Sequence, residues 1–281
     1  SSPGPSRSCS YESVTLRNIG ILSQDEQRLL RGTGVAVAGC GVGSLIAQLA
    51  ARTGFGRVFL ADGDSVEPAN LNRQAFTQED IGCNKAVATA RAVERVNPSV
   101  AVRARPEFVT PATAGEFVSD AELVVDTIDM SALSATLALH EASARRGLTV
   151  FYPLNLGWGS GLYVFRDDTE TLSEMLGCSG VRGGEDGEDA EANVRLWATF
   201  LKDRLPQGYL EPLFKAFVDE VDERGWCPVP QLGIAAFATA SLTVAALTAT
   251  ALGKSLRGAP HLISFDPLSA LHGLDAPSGV D

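Results

Sequence analysis

The run Gly34-Val35-Ala36-Val37-Ala38 leads into Gly39-Cys40-Gly41-Val42-Gly43-Ser44, and an apolar pattern resumes over residues 45–51. A short continuous apolar run before a glycine-rich turn reads as a buried parallel strand entering a helix. Glycines let the backbone turn tightly and approach a phosphate, whose charge is favoured at a helix N-terminus. The strict dinucleotide fingerprint wants glycine at position 44, where Ser44 stands. The turn alone is therefore a nucleotide site or merely a tight turn. Asp62 ends a second apolar run, residues 57–61, near the usual distance for a carboxylate that accepts ribose hydroxyls. That acceptor would serve NAD or ATP equally, and the structural alternative is a turn capped by Asp62 or Asp64.

Residues 84–96 read as an amphipathic helix stopped by Asn97-Pro98. A third strand is expected at 100–104, a short helix at 111–118, a fourth strand at 123–126, a helix at 131–146 and a fifth strand at 148–152. This alternation predicts an α/β fold, doubly wound and Rossmann-like, with a mainly parallel sheet and helices on both faces. The second half reads as a smaller, irregular α+β part. It has a strand at 161–165, a mobile acidic glycine-rich loop at about 177–193, helices at 192–205 and 209–224, and a Pro228-Val229-Pro230 turn. A final strand is expected near 261–265.

Residues 232–252 carry no charge and are long enough to span a membrane. Thr239, Ser241, Thr243, Thr248 and Thr250 interrupt the stretch and alanine dominates the rest, so a buried or interface helix is expected and no membrane partner. The 23 Lys and Arg stand against 34 Asp and Glu, a formal charge of −11, which argues against general nucleic-acid binding. Five cysteines, Cys9, Cys40, Cys83, Cys178 and Cys227, are odd in number and form no C-x-x-C pair. A disulfide framework is not expected, and a reducing cytoplasm fits. Residues 1–10 are a Pro/Ser/Gly segment without the apolar stretch of a secretory signal, so the first 15 residues read as a flexible arm.

Downstream of Asp62 the chain runs Asp62-Gly63-Asp64-Ser65-Val66-Glu67-Pro68-Ala69-Asn70-Leu71-Asn72-Arg73-Gln74, then Ile81-Gly82-Cys83-Asn84-Lys85, Val96-Asn97-Pro98 and Val125-Asp126-Thr127-Ile128-Asp129. This order and spacing resembles the ThiF/MoeB family of ubiquitin-activating-enzyme-like adenylyltransferases, strongly over residues 16–155 and loosely beyond. The resemblance implies an ATP-binding core at 16–155 and, at 156–281, the remainder of the same adenylation domain. It assigns Gly39, Gly41, Gly43, Asp62, Asp64, Asn70, Arg73, Gln74, Lys85 and Asp129 to ATP. Arg73 supplies a planar fork and Lys85 a compact charge to the phosphates, and Asp129 is the carboxylate associated with magnesium.

Asp126 reads as a strand-end structural residue. Met130 departs from the asparagine common in the family after the magnesium-associated aspartate. Arg17, in Leu16-Arg17-Asn18-Ile19-Gly20, matches an arginine that in dimeric relatives crosses to the partner's phosphates; a plain helix-terminal arginine is the alternative. The paired cysteines that hold zinc in many relatives are missing, so no zinc is expected. Cys178 is the one candidate for an acyl-accepting thiol, with an inert loop cysteine as the alternative.

The implied reaction is attack of a carboxylate oxygen on the α-phosphorus of ATP, which needs no general base because a carboxylate is already ionised. His140, His261 and His272 all lie outside the motifs. The carboxylate belongs to a small ubiquitin-like carrier protein, a peptide or a metabolite, and the uncharged helix points to a homodimer. An NAD-dependent oxidoreductase would share the turn and Asp62 but leave Arg73, Lys85 and Asp129 unexplained. A non-catalytic scaffold on the same fold would keep the core without turnover.

Overall fold

The computed structural model describes residues 9–178 and 230–272, together with Asn193, Leu196, Trp197, Thr199 and Phe200. The five residues described between 193 and 200 are helical, as expected within 192–205. The rest of that helix, the helix expected at 209–224, most of the 177–193 loop, Cys227 and the start of the Pro228-Val229-Pro230 turn lie outside the described residues.

Strand β1 (Gly34–Ala38) is buried at every position because it lies in the middle of a seven-stranded sheet. The other strands are β2 (Arg57–Ala61), β3 (Ala101–Arg105), β4 (Leu123–Asp126), β5 (Thr149–Leu156), β6 (Gly159–Phe165) and β7 (Ile263–Phe265), in the order β3-β2-β1-β4-β5-β6-β7. Pairing is parallel from β3 to β5 and antiparallel for β5–β6 and β6–β7. The chain winds outward from β1 to β3 on one side and resumes on the other at β4. The β1/β4 boundary is thus a switch point, where crevices open at the carboxyl ends of the strands. There Ala38 stands in register with Ala61 on one side and Asp126 on the other.

Helices α3 (Gly43–Thr53), α4 (Lys85–Val96) and α8 (Gly233–Ala251) enclose one apolar cluster with Val35, Val37, Val58 and Leu60. Helices α5 (Ala114–Phe117), α6 (Leu133–Ala144) and α7 (Leu172–Met175) enclose a second cluster with Ala36, Phe59 and Val124, capped by Trp197 and Phe200. Alternate residues of the strands feed opposite clusters, as the two-residue period of a sheet buried on both faces demands. Among the described residues, further helices are α1 (Tyr11–Thr15), α2 (Gln24–Gly32) and α9 (Pro267–His272).

Helix α8 meets the length and apolarity of a membrane span, yet half of it is buried in the fold. Ala236, Ala240, Val244 and Leu247 face the core, while Ile234, Phe237, Ser241 and Ala245 face outward. Its buried threonines satisfy their hydroxyls on backbone oxygens: Thr239 donates to Leu154 O of β5 and Thr243 to Thr239 O one turn earlier. The flexible arm expected through residue 15 is corrected in part. Residues 11–15 are the helix α1, capped by Ser10, and Tyr11 is buried with its hydroxyl donating to Gly54 O at 2.7 Å. The buried Tyr11 ring and its hydrogen bond offset part of the conformational entropy lost in ordering this turn.

Candidate functional site

The glycine turn lies at the carboxyl end of β1. Gly39 has φ +86°, and a Cβ there would overlap Thr127 O. Thr127, just after β4, holds the turn by donating from its hydroxyl towards Gly39 O at 2.7 Å and from its amide to Ala38 O at 2.8 Å. At Gly43 a Cβ would come within 2.7 Å of Val37 Cγ1, so helix α3 sits directly on β1. Gly41 differs: its Cβ would meet only the flexible end of Gln74, at 3.4 Å. Its bare backbone is therefore the part of the turn open to close approach. Ser44, which breaks the dinucleotide fingerprint, donates to Gly41 O at 2.6 Å and accepts from Ala75 N at 3.0 Å. It ties the turn to the Arg73 segment, a link a glycine could not make.

Asp62 is buried at the end of β2. Its Oδ2 accepts from Cys40 N at 2.6 Å and its Oδ1 from Asp64 N at 2.8 Å. Burial raises its pKa, against the pull of those two amides and of Lys85. The turn-capping role is thus present, and each oxygen keeps a further lone pair. The loop after Asp62 folds back through Val66 N→Cys83 O and Lys85 N→Asp64 O, each 2.8 Å, delivering Lys85 to the first turn of α4. Asn84 caps that helix through Val87 N and donates to Asp62 O. The Lys85 side chain is 12% exposed, with Nζ 2.8 Å from Asp64 Oδ2.

Asn70 is buried and closes the Pro68–Asn70 turn by accepting from Glu67 N. Arg73 is half-buried. Its Nε donates to Gln231 Oε1 at 2.8 Å, and its Nη1 donates to Ala69 O and Asn72 Oδ1, each 2.9 Å. All three acceptors are neutral, and among the described residues no carboxylate pairs with it. Burial alone lowers its pKa. Gln74 lies over Gly41, with its Oε1 buried and lacking a hydrogen-bond partner.

Asp129 is exposed in the loop after β4, and its Oδ1 accepts from Ser131 N and Oγ. Among the described residues no group of three potential ligands forms a metal cage. Asp129 Oδ2, which makes no hydrogen bond among the described residues, suits magnesium, which takes most of its ligands from phosphate and water. Asp126 is fully buried, accepting from Ile128 N and paired with His140 Nε2 at 3.2 Å. Met130 packs against the apolar cluster beneath, which accounts for an apolar side chain there.

Arg17 is exposed in the Leu16–Asn18 turn, which Asn18 anchors to Thr53 O. No described hydrogen bond or ion pair links it to the glycine turn or to Arg73 or Lys85 of its own chain. Cys178 is buried with Trp197 and Phe200, and burial raises its pKa, the opposite of activation. Phe108 was not anticipated. Its ring lies against Gly63, 2.6 Å from where a Cβ would stand, and it is 60% exposed beside Asp62.

Residues 15–276 match the ThiF family. The chain belongs to the ThiF family. The resemblance read from the motifs is therefore borne out across most of the chain. An uncharacterized protein of Mycobacterium tuberculosis is 30% identical over 272 residues, covering 93% of this chain and 36% of that protein. The sulfur carrier protein adenylyltransferase of Thermus thermophilus is 36% identical over 107 residues, covering 38% of this chain and 40% of that enzyme. The chain thus spans well under half the length of these two relatives. Among solved structures, the E. coli tRNA N6-threonylcarbamoyladenosine dehydratase, TcdA, with AMP has a TM-score of 0.57 at 18% identity, covering 83% of this chain and 91% of the other. This likeness bears out the doubly wound fold expected for a ThiF-family chain.

Proposed function

We propose that this ThiF-family chain adenylates a carboxylate with ATP, giving an acyl-adenylate and pyrophosphate. The observation that carries the reading is Arg73, a half-buried guanidinium whose described partners are all neutral, on a segment bonded to the glycine turn. A cation desolvated without a counter-ion calls for an anionic ligand. Asp62 accepts ribose hydroxyls, Phe108 offers a flat apolar face to the base beside it, and the Gly41 backbone with Asn70 and Gln74 borders the phosphates. Lys85 moves from Asp64 towards the phosphates or bridges the two. Asp129 would hold magnesium, which supplies charge neutralisation of the leaving pyrophosphate. The carboxylate oxygen forms a bond to the α-phosphorus as the bond to pyrophosphate breaks; the chain aligns the two and stabilises the charge.

The substrate acid belongs to a carrier protein, a peptide or a small metabolite. A cytoplasmic setting is part of the same reading, supported by the unpaired thiols of Cys9, Cys40, Cys83 and Cys178. Calorimetry is expected to register ATP with magnesium and no comparable binding of NAD. Tight NAD binding with a silent ATP titration would overturn the assignment.

The proposal includes a homodimer with composite sites. Its support is the apolar surface of Ile21, Leu22, Leu49, Val244 and Leu252 lining a groove of about 410 Å³ between the N-terminal segment, α3 and α8. Arg17, exposed on that N-terminal segment, would cross to the partner's phosphates. Mixed Arg17→Ala and Lys85→Ala chains should regain part of the activity that each lacks alone, because one of the two sites in a mixed dimer is intact. Mixing that restores nothing after proven subunit exchange would exclude the arrangement.

A further inference from the structure

Arg73 lies far in sequence from the segment that orients it. Its Nε donates to Gln231 Oε1 at 2.8 Å, and Asn155 Nδ2 donates to the same oxygen at 3.2 Å. Asn72 Nδ2 donates to Gln231 O at 3.0 Å, and a Cβ on Gly233 would stand 2.5 Å from Asn72 O. The segment bearing Arg73 is thus docked on the residues that open α8.

The polarity of this bridge follows from its members. A guanidinium only donates, so the Gln231 atom facing it is the oxygen; the Asn155 atom facing that oxygen must then be the nitrogen. Asn155 Oδ1 is left buried without a partner, so the bridge is kept although it strands an acceptor. With Nε and Nη1 committed to neutral oxygens, Nη2 is the donor of Arg73 with no hydrogen bond among the described residues.

We infer that Gln231 is a positioning residue that fixes the Arg73 guanidinium, presenting Nη2 to an anionic ligand while leaving its charge unneutralised. A glutamate at this place would make the same hydrogen bond but cancel the charge. The amide therefore separates orientation from neutralisation. This rests on the nucleotide reading of the Arg73 site.

The test is ATP affinity with magnesium, measured by calorimetry, in Gln231→Leu, Gln231→Glu, Arg73→Ala and the Arg73→Ala/Gln231→Leu pair. Gln231→Leu should weaken ATP about tenfold, the effect of one charge-assisted hydrogen bond. Gln231→Glu should weaken it at least as much despite preserving the bond, a result that a purely structural role would not give. In the Arg73→Ala background, Gln231→Leu should add no further loss, since both act through one guanidinium. Unchanged affinity in Gln231→Leu, or full additivity in the pair, would overturn the inference. If Gln231→Leu does not fold, Gln231→Asn, which keeps the amide but shortens its reach, takes its place in the same cycle. A wild-type chain that binds no ATP would remove the adenylation reading and this inference together; normal ATP binding lost in Arg73→Ala but not in the Gln231 variants would remove the inference alone.

Discussion

Lys85→Ala and Arg73→Ala should each lower carboxylate-dependent exchange of labelled pyrophosphate into ATP by about a hundredfold or more, the usual loss when one preorganised donor to developing charge is removed. The fold should survive both changes. Lys85 stands in the first turn of α4, where alanine is a good helix former, and the cap comes from the neighbouring Asn84. Arg73 spends its described bonds on neutral acceptors, so its removal strands no buried carboxylate. Arg73→Lys should recover little, because one ammonium cannot both satisfy the oxygens of Ala69, Asn72 and Gln231 and project a further donor. Asp64→Asn is informative in the opposite direction. It removes the negative partner of Lys85 at 2.8 Å and should leave that ammonium more available to phosphate. The exchange assay, run across peptides, carrier proteins and small acids, reads all of these. Near-normal turnover in Lys85→Ala would put the phosphate site elsewhere.

The parts of the fold legible in the sequence are those whose signal is local. β1 and the glycine turn could be read because a strand buried on both faces is a continuous apolar run ending at a residue type with a backbone reason to be there. β3 is displaced by one residue from its expected place. It is a sheet edge, with part-exposed positions and no clean alternation to fix its ends. Helix α2 was missed although Ser23 and Glu26 form a capping box ahead of it, a signal carried by polar residues rather than by apolar period. In the candidate site, Asp62, Asn70, Arg73 and Lys85 were named from motif order, whereas Phe108 and Gln231 were not. Phe108 follows an edge strand in a loop without period, and only its approach to Gly63 gives it a context. Gln231 meets Arg73 across 158 positions, a separation at which no spacing rule operates. The Met130 departure was visible as a break in pattern, but its reason, packing into the cluster below the loop, needed the tertiary contacts.

Gly39→Ala and Gly41→Ala, two residues apart in one turn, should fail in different ways. At Gly39 the backbone has φ +86°, which costs a non-glycine residue about 1–2 kcal/mol, and the new Cβ also overlaps Thr127 O, adding about 1–3 kcal/mol of overpacking. The obstacle is backbone, held by its own bond from Thr127 N to Ala38 O, so it cannot swing aside as a side-chain tip would. A loss of about 2–5 kcal/mol is a large part of the stability of an ordinary domain, and the denaturation midpoint should fall accordingly. At Gly41 the added methyl meets only Gln74 Nε2 at 3.4 Å, and no left-handed φ stands against it. Stability there should hold, or rise by about 0.5 kcal/mol as the unfolded chain loses freedom. ATP affinity should nonetheless drop, because the methyl occupies the face that the bare backbone leaves open to phosphate. Urea denaturation and ATP calorimetry on the two variants separate the effects. Intact ATP binding in a stable Gly41→Ala protein would mean that the turn serves only to join β1 to α3.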